Sequence, residues 1–535
     1  MIFSLAILGS FLLYLVIGAV VSRTIKNKDD YYVSGRNAPT VLVGGTLVAS
    51  FLSTVSFMGE LGFSYDGYAT VMLVLTPINI CGYVIGVALF GRYLRRSQAL
   101  TVPEFFGLRF NSKGIQAIAG LTVIIGIGFY LIAVTQGLML IIGQLTGLNE
   151  WQSLLLVWAG YTIFTMMSGA RGILINDTIM YFFFTAAAVG GMSWIFYRAG
   201  GPSAAVEKMW SLPDRPDALT WHGLTGPDAY MGSPLQVFIY AITLGIVWML
   251  VVAISPWQSS RYLMAKNEHV SLRSGLMATA SLALIYVFLT FGGLAISLFN
   301  PDIEPSEVAF IWAAQNLMPP VLGVIAVTGI VAAGLSSAAA FLSLIGFSLD
   351  NDVMPWIASR RPAVQPKHGG IRLTRIAMAS VAVAVLLITL VAPPAVLTIG
   401  YFAATLFAAS WGPVALWSIQ SSKITRRGAT WGIIVGFLAV GFLEGIQKFG
   451  GITLPTLANP VLLGISASII AIILGNVGQP HDPKAVAFLH SLREVPPENK
   501  SRLETRRTGI WVIVTVATLI LCSALMLVFY ALPTF

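Results

Sequence analysis

Apolar runs of about 20 residues recur from one end of the chain to the other, parted by short polar loops, and each is long enough to cross the roughly 30 Å hydrocarbon core of a bilayer as a helix. The pattern predicts fourteen helices, at roughly 2–21, 41–63, 71–90, 115–143, 151–168, 173–197, 235–255, 276–298, 319–346, 376–392, 395–418, 429–447, 458–475 and 510–530. One run departs from the rest. The second carries Ser50, Ser53, Thr54, Ser56, Gly59 and Glu60 in its middle. Lipid offers no hydrogen bonds, so such a segment belongs inside the bundle, beside something polar. The seventh run also holds a breaker, Ser255-Pro256, after Gly245 near its middle. The two interrupted helices lie five helices apart. An odd spacing gives the second copy the opposite orientation, as an inverted-repeat transporter with a midplane site requires.

Composition fits this reading. Of 535 residues 56% are hydrophobic and 10% charged, against roughly 25% charged in an average soluble domain. The chain is therefore expected to be an all-α polytopic membrane protein with a single transmembrane domain: a peripheral helix and loop over 1–40, an inverted-repeat core over 41–418 and peripheral helices over 419–535. Met1 to Val21 has no basic stretch before its apolar run and reads as a retained helix. Cys81 and Cys522 both sit in apolar runs and indicate neither a disulfide framework nor a thiol metal site.

The net charge of +9 reports topology rather than nucleic acid. All Lys and Arg except Arg198, Lys208, Arg215 and Lys448 fall in alternate loops. That bias puts those loops inside, at the cell membrane's cytoplasmic face, and both termini outside. Between them, Thr101 to Phe106 predicts a short interfacial helix with Thr101 as N-cap, Pro103 in the first turn and Glu104 suited to the helix dipole. Residues 198–233 are expected to form an external cap, and 475–507 a surface helix plus linker.

Four segments resemble the sodium:solute symporter family, whose fold is the leucine-transporter type of five-plus-five inverted helices. Ala49 to Gly59 is similar to its first core helix. Ser168-Gly169-Ala170-Arg171-Gly172-Ile173-Leu174-Ile175-Asn176-Asp177 resembles its Gly-Gly-x-Lys-Ala-Val-x-x-Thr-Asp signature. Arg261-Tyr262-Leu263-Met264-Ala265-Lys266 resembles Gln-Arg-Tyr-Leu-Ala-Ala-Lys, and Ala333-Gly334-Leu335-Ser336-Ser337 the sodium-binding pattern of its eighth core helix. Ser260 replaces the family's usual Gln before Arg261, and Met180 stands where a Gln often follows the signature.

The resemblance implies a sodium site in which Ala49, Leu52 and Ala333 supply backbone carbonyls and Ser336 and Ser337 their hydroxyls. A hard cation wants several oxygens, and a helix break frees carbonyls. Taken alone, the paired serines read equally as close packing in a small-residue helix. The resemblance also places the solute near Ser53, Ser56, Ser255 and Trp257, with Gln136 a further candidate. Asp177 either steers the cation or caps a helix start. Glu60 either contacts solute, binds a proton, or is hydrated one turn from the outer loop.

The implied activity is sodium-coupled import of a small organic solute by alternating access, an organic acid or amino acid ahead of a sugar. The partners are sodium, solute and membrane lipid, with no nucleic acid and no obligate protein partner, and the only coupling ion is sodium, with no cofactor. Alternatives are a proton-coupled symporter or uniporter, with Glu60 or Asp177 as protonation site, and a membrane-embedded sensor or enzyme. Against an enzyme, the sequence has no Walker-type loop, and His222, His269, His368, His481 and His490 are scattered in loops.

Overall fold

The computed structural model describes residues 2–226, 229–359, 371–392, 396–451, 454–455 and 458–531. Most of the basic Arg360–Arg375 loop, with His368, and the expected helix start at 395 lie outside them. Among the described residues the chain is helical with no strand, and eleven helices are long and apolar enough to cross a membrane. Two shorter apolar helices, Thr40–Phe51 and Pro460–Asn476, accompany them.

In chain order the elements that position the site are α1 (Ile2–Ser22), α2 (Thr40–Phe51), α3 (Ala69–Gly86), the interfacial α4 (Val102–Arg109), α5 (Lys113–Thr146) and α6 (Glu150–Thr185). They continue with α7 (Pro234–Ile254), α8 (Pro256–Leu263), α9 (Glu268–Ile296), α10 (Pro320–Phe347), α11 (Ile371–Val391) and α12 (Val396–Gln420). The last four are α13 (Arg426–Gly450), α14 (Pro460–Asn476), α15 (Pro483–Arg493) and α16 (Arg502–Met526). Several expected loops contain helix, among them Lys28–Val33, capped by Asn27, Pro202–Trp210 in the 198–233 segment, and Ala309–Asn316. The expected caps form. The Thr101 side chain accepts from the Glu104 N–H at 3.1 Å, and the surface helix of the 475–507 segment is α15.

The eleven long helices differ from the fourteen expected runs because two single glycines turn the chain without separating its helices and because the run at 458–475 forms only the shorter helix Pro460–Asn476. After α2 the helix resumes and ascends to Gly67, whose φ of 109° reverses it into α3. Tyr65 donates to the Asn300 carbonyl at one end of the bundle, while Tyr83 returns to the Leu47 carbonyl. In α6 the break is Gly169, with φ 52° and ψ −155°. Before it, the helix descends along α1, where Gly160 faces Phe11 and Gly18 faces Phe164. After it, the chain climbs past Thr46 at Asp177 and reaches Leu317 at Trp194. Only a residue without a Cβ turns so tightly there, because a Cβ on Gly169 would lie 2.5 Å from the Tyr31 ring and 2.7 Å from its carbonyl.

The end of the bundle that carries the basic loops is tied by buried carboxylates. Asp350 accepts from Tyr32 (2.6 Å) and Thr374 (2.8 Å) and pairs with Lys28 (3.1 Å). Asp352 accepts from Thr101 (2.7 Å) and Gln116 (2.9 Å), and Arg96 forks onto Glu268 at 2.7 and 3.0 Å.

Gly169→Ala combines strained backbone with a steric clash, worth about 2–4 kcal/mol together. It is expected to lower the apparent melting temperature in detergent by several degrees, whereas Gly128→Ala, with open space around its Cβ position, leaves it in place. Equal melting of the two variants refutes the role given to Gly169.

Candidate functional site

The helix that begins at Thr40 stops at Phe51. Leu52 takes extended backbone angles (φ −71°, ψ 118°) and the chain resumes as a π-helical turn over Val55–Glu60. Ser53 causes the break to hold. Its hydroxyl accepts the Val55 N–H at 3.2 Å, and its carbonyl accepts those of Ser56 and Phe57. In a continuous helix the Val55 and Ser56 N–H groups would serve the Phe51 and Leu52 carbonyls. Diverting them leaves carbonyl oxygens with lone pairs to spare.

Small residues bring the neighbouring helices close to this break. A Cβ on Gly137 of α5 would lie 2.6 Å from the Thr54 hydroxyl, and one on Gly334 of α10 would lie 2.9 Å from its methyl. A Cβ on Gly400 of α12 would lie 3.0 Å from Val55. The sequence-expected residues Ala49, Leu52, Ala333, Ser336 and Ser337 are all fully buried. Ser337 has no hydrogen-bond partner for its hydroxyl, an orphan polar atom in a dry interior that a ligand would satisfy.

On the side of the break towards the basic loops, Asp177 of α6 is fully buried. It accepts from Thr46 at 2.5 Å and from Ser336 at 2.6 Å, and lies 3.7 Å from the Arg261 guanidinium of α8. Asp177 therefore is no interfacial helix cap. It faces α2 and α10 together and is bonded to one of the two serines. Between Arg261 and the end of α10 is a cavity of about 20 Å3, room for about one water, lined by Thr101, Ser260, Ser343 and Phe347 among others.

On the other side stands Glu60, buried rather than hydrated at the outer loop. Its carboxylate accepts from Tyr286 of α9 at 2.5 Å and from Tyr401 of α12 at 3.3 Å, and Ser56 shares the Tyr286 hydroxyl at 3.2 Å. Among the described residues no Lys, Arg or His pairs with it. Trp257, at the start of α8, closes an aromatic box with Tyr130 (5.4 Å between ring centroids), Phe407 (5.6 Å) and Phe341 (6.1 Å). Ser53 hydrogen-bonds Tyr130 at the edge of this box.

The α7–α8 break occurs where expected, after Ile254. There Ser259 bonds the Ile254 and Ser255 carbonyls, and the buried Ser255 hydroxyl has no partner. The Gln136 amide donates to the Ala392 carbonyl at 3.2 Å. Sequence reasoning named neither Thr46, Tyr286 nor Tyr401 as site residues. Thr46 stands one turn before Ala49 in the polar helix and was within reach, whereas no spacing singles out the two tyrosines in their apolar runs.

Among the described residues no three His, Cys, Asp or Glu side chains converge, so any cation here relies on hydroxyls, carbonyls and single carboxylates. Such oxygens suit a hard monovalent or divalent ion.

The comparisons with known proteins agree with this geometry. The chain is 23% identical over 503 residues to the sodium/proline symporter of Salmonella typhimurium, covering 89% of this chain and 95% of that protein. It is 22% identical to the sodium/pantothenate symporter of Haemophilus influenzae, covering 60% of this chain and 66% of the relative, just under two thirds of its length. In fold it is similar to a substrate-bound, outward-open sodium-coupled sialic acid symporter, with a TM-score of 0.73 at 17% identity over 90% of this chain and 99% of that one. The nucleobase-cation symporter Mhp1 in a closed conformation superposes with a TM-score of 0.55 at 14% identity, over 86% and 98%. The chain is a membrane transporter and not an enzyme. The model of the sodium:solute symporter family matches residues 31–436, and the protein belongs to that family.

Proposed function

We propose that the protein imports a small organic solute by sodium-coupled alternating access. The observation that carries this reading is the break at Leu52–Ser53, which frees carbonyls on α2 opposite the orphan hydroxyl of Ser337 on α10. Ala49, Leu52 and Ala333 supply carbonyl oxygens to the ion and Ser336 and Ser337 supply hydroxyls. Asp177, already bonded to Ser336, sets the negative potential of the cage, and Arg261 offsets part of it. The relatives named for sodium symport support this assignment.

The solute lies between the aromatic box and Glu60, against Ser53, Ser56, Ser255 and Trp257; Gln136 takes a supporting place at the outer end. Proline and pantothenate, the solutes in the relatives' names, both carry a carboxylate, which supports an organic acid or amino acid here. Glu60 is the group for an ammonium or a proton, since a buried carboxylate among phenols still lacks a neutralising charge. That same feature favours the second reading, proton coupling on this fold, with Asp177 the alternative protonation site.

Counting each of the two glycine reversals as a crossing, and the shorter helix Pro460–Asn476 as one more, gives fourteen spans. Two of them, broken at Leu52–Ser53 and at Ser255–Pro256 and five spans apart, form corresponding members of a five-plus-five inverted repeat over 41–418, with 1–40 and 419–535 peripheral. The alternate basic loops then lie in the cytoplasm and both termini outside. Sodium at the α2–α10 junction stabilises the state in which the solute site is formed, so the two ligands favour each other's binding.

Uptake by proteoliposomes at fixed pH decides the coupling ion. Accumulation is expected under an inward sodium gradient, and accumulation that follows a proton gradient alone rejects sodium coupling. Ser337→Ala is expected to raise the half-saturating sodium concentration about tenfold, equivalent to about 1.4 kcal/mol, with melting temperature retained; an unchanged value removes Ser337 from the site. Glu60→Gln is expected to change both solute affinity and the pH profile of uptake. If neither moves, Glu60 has no part in transport.

A further inference from the structure

At the basic end of the bundle, away from the central site, the α12–α13 turn, the end of α14 and the start of α15 enclose a groove of about 730 Å3. Three arginines line it. Arg109 is committed to the fold, donating to the Ser418, Ser421 and Ala485 carbonyls; burial lowers its pKa to about 10, so it keeps its charge at neutral pH. Arg426 and Arg427 are different. Both are exposed, and among the described residues neither has a carboxylate partner. Asp482, which also lines the groove, is held by the Asn111 amide and the Lys484 N–H, each at 2.9 Å, and these bonds keep its pKa below the usual range.

The groove opens on the lipid-facing side of α13. Trp431 lines it and is exposed, and Leu438 and Phe442, seven and eleven residues on, continue the same apolar stripe along the helix. Free arginines thus stand where a headgroup phosphate lies, and an interfacial tryptophan stands at the depth of the glycerol and upper acyl chains. Guanidinium groups match phosphate oxygens in bidentate geometry, and basic pockets at the cytoplasmic ends of membrane helices suit anionic headgroups. A soluble phosphate would meet the arginines but leave the stripe unused.

We propose that this groove binds the headgroup of an anionic phospholipid of the adjacent leaflet, with Arg426 and Arg427 on its phosphate and its chains along Trp431, Leu438 and Phe442. The inference does not rest on the transport reading, and its test does not measure uptake.

Native mass spectrometry of the full chain in detergent reads the bound lipid directly, with palmitoyl-oleoyl phosphatidylglycerol, the matching phosphatidylcholine and inorganic phosphate as probes. Phosphatidylglycerol is expected to be retained about fivefold more than phosphatidylcholine. Arg426→Ala with Arg427→Ala is expected to remove that excess, and the lysine pair at the same positions to recover at least about half of it. The charge-matched Arg502→Ala with Arg506→Ala keeps it. Equal retention of the two lipids, full retention by the alanine pair, or displacement by equimolar inorganic phosphate overturns the proposal. If the alanine pair fails to fold, single Arg427→Gln serves in its place, and undiminished phosphatidylglycerol retention there has the same force.

Discussion

Inside a bilayer a backbone N–H or C=O that loses its helical partner finds no water to replace it, and leaving it bare costs several kcal/mol. The chain nevertheless interrupts α2 in the middle of the bundle, and every neighbouring element is arranged so that the interruption persists. Ser53 takes up three backbone donors through its hydroxyl and carbonyl, so the N–H side of the problem is solved locally. The carbonyl side is not. Oxygens of α2 stay available where α10 packs against Thr54, and the Ser337 hydroxyl of α10 is likewise unpaired. The break is held on its N–H side by Ser53, while its carbonyl side stays open to a ligand.

Close approach by the other helices follows from the same constraint. Lipid supplies no hydrophobic drive between helices, so contact depends on surface fit and on small residues at the interface. Gly137, Gly334 and Gly400 bring α5, α10 and α12 so near Thr54 and Val55 that a Cβ on any of them would lie within 3.0 Å of those side chains. A larger residue at any of them would push its helix back and expose the broken backbone. Two carboxylates then stand on opposite sides of the break in unlike surroundings. Asp177 has two hydroxyl donors and an arginine at 3.7 Å, a neutralised pair. Glu60 has two phenols and the Ser56 hydroxyl, and no cation among the described residues. The first can share its charge with an incoming cation without leaving the protein neutral state far behind, whereas the second gains most from a group that brings a positive charge of its own.

Much of this was legible in the sequence, because the properties that make a membrane helix are compositional and local. Hydropathy located the spans to within a few residues over most of the chain, and Ser255-Pro256 and the Ser53 region announced their breaks by residue type. The fused helices were not legible as such. Gly169 sits among residues that continue helical on both sides, and only its positive φ, imposed by the Tyr31 ring beside it, reveals the reversal. At the site, the candidate residues on each helix came from the resemblance of its local segment to the family's motifs. Tyr286 and Tyr401 reach Glu60 from segments more than 200 residues away, a pairing that single-chain periodicity does not encode. Of the three readings open for Glu60, hydration falls for a related reason: its nearness to the loop along the chain suggests water, but Tyr286 and Tyr401 cover it.

The two ends of the bundle are held by different physics, and this bears on how such a molecule moves. At the basic end Asp350, Asp352 and Glu268 each join segments distant in sequence, with several hydrogen bonds apiece and two short ion pairs. At the other end the ties are hydrogen bonds without an ion pair among the described residues, such as Tyr65 to the Asn300 carbonyl, Thr70 to the Leu219 carbonyl and Ser306 to the Asp66 carboxylate. Parting a buried ion pair leaves uncompensated charge and costs about 3–5 kcal/mol, far more than parting one neutral hydrogen bond at about 1 kcal/mol. With no ligand to shift the balance, the basic end is therefore the harder one to open. On the transport reading, a ligand can reverse that preference only by binding the alternative state more tightly by a comparable amount. Asp177 is placed to transmit such a difference, because its one carboxylate touches α2 and α10 at the break and Arg261 on α8, the helix that leads down to the basic end.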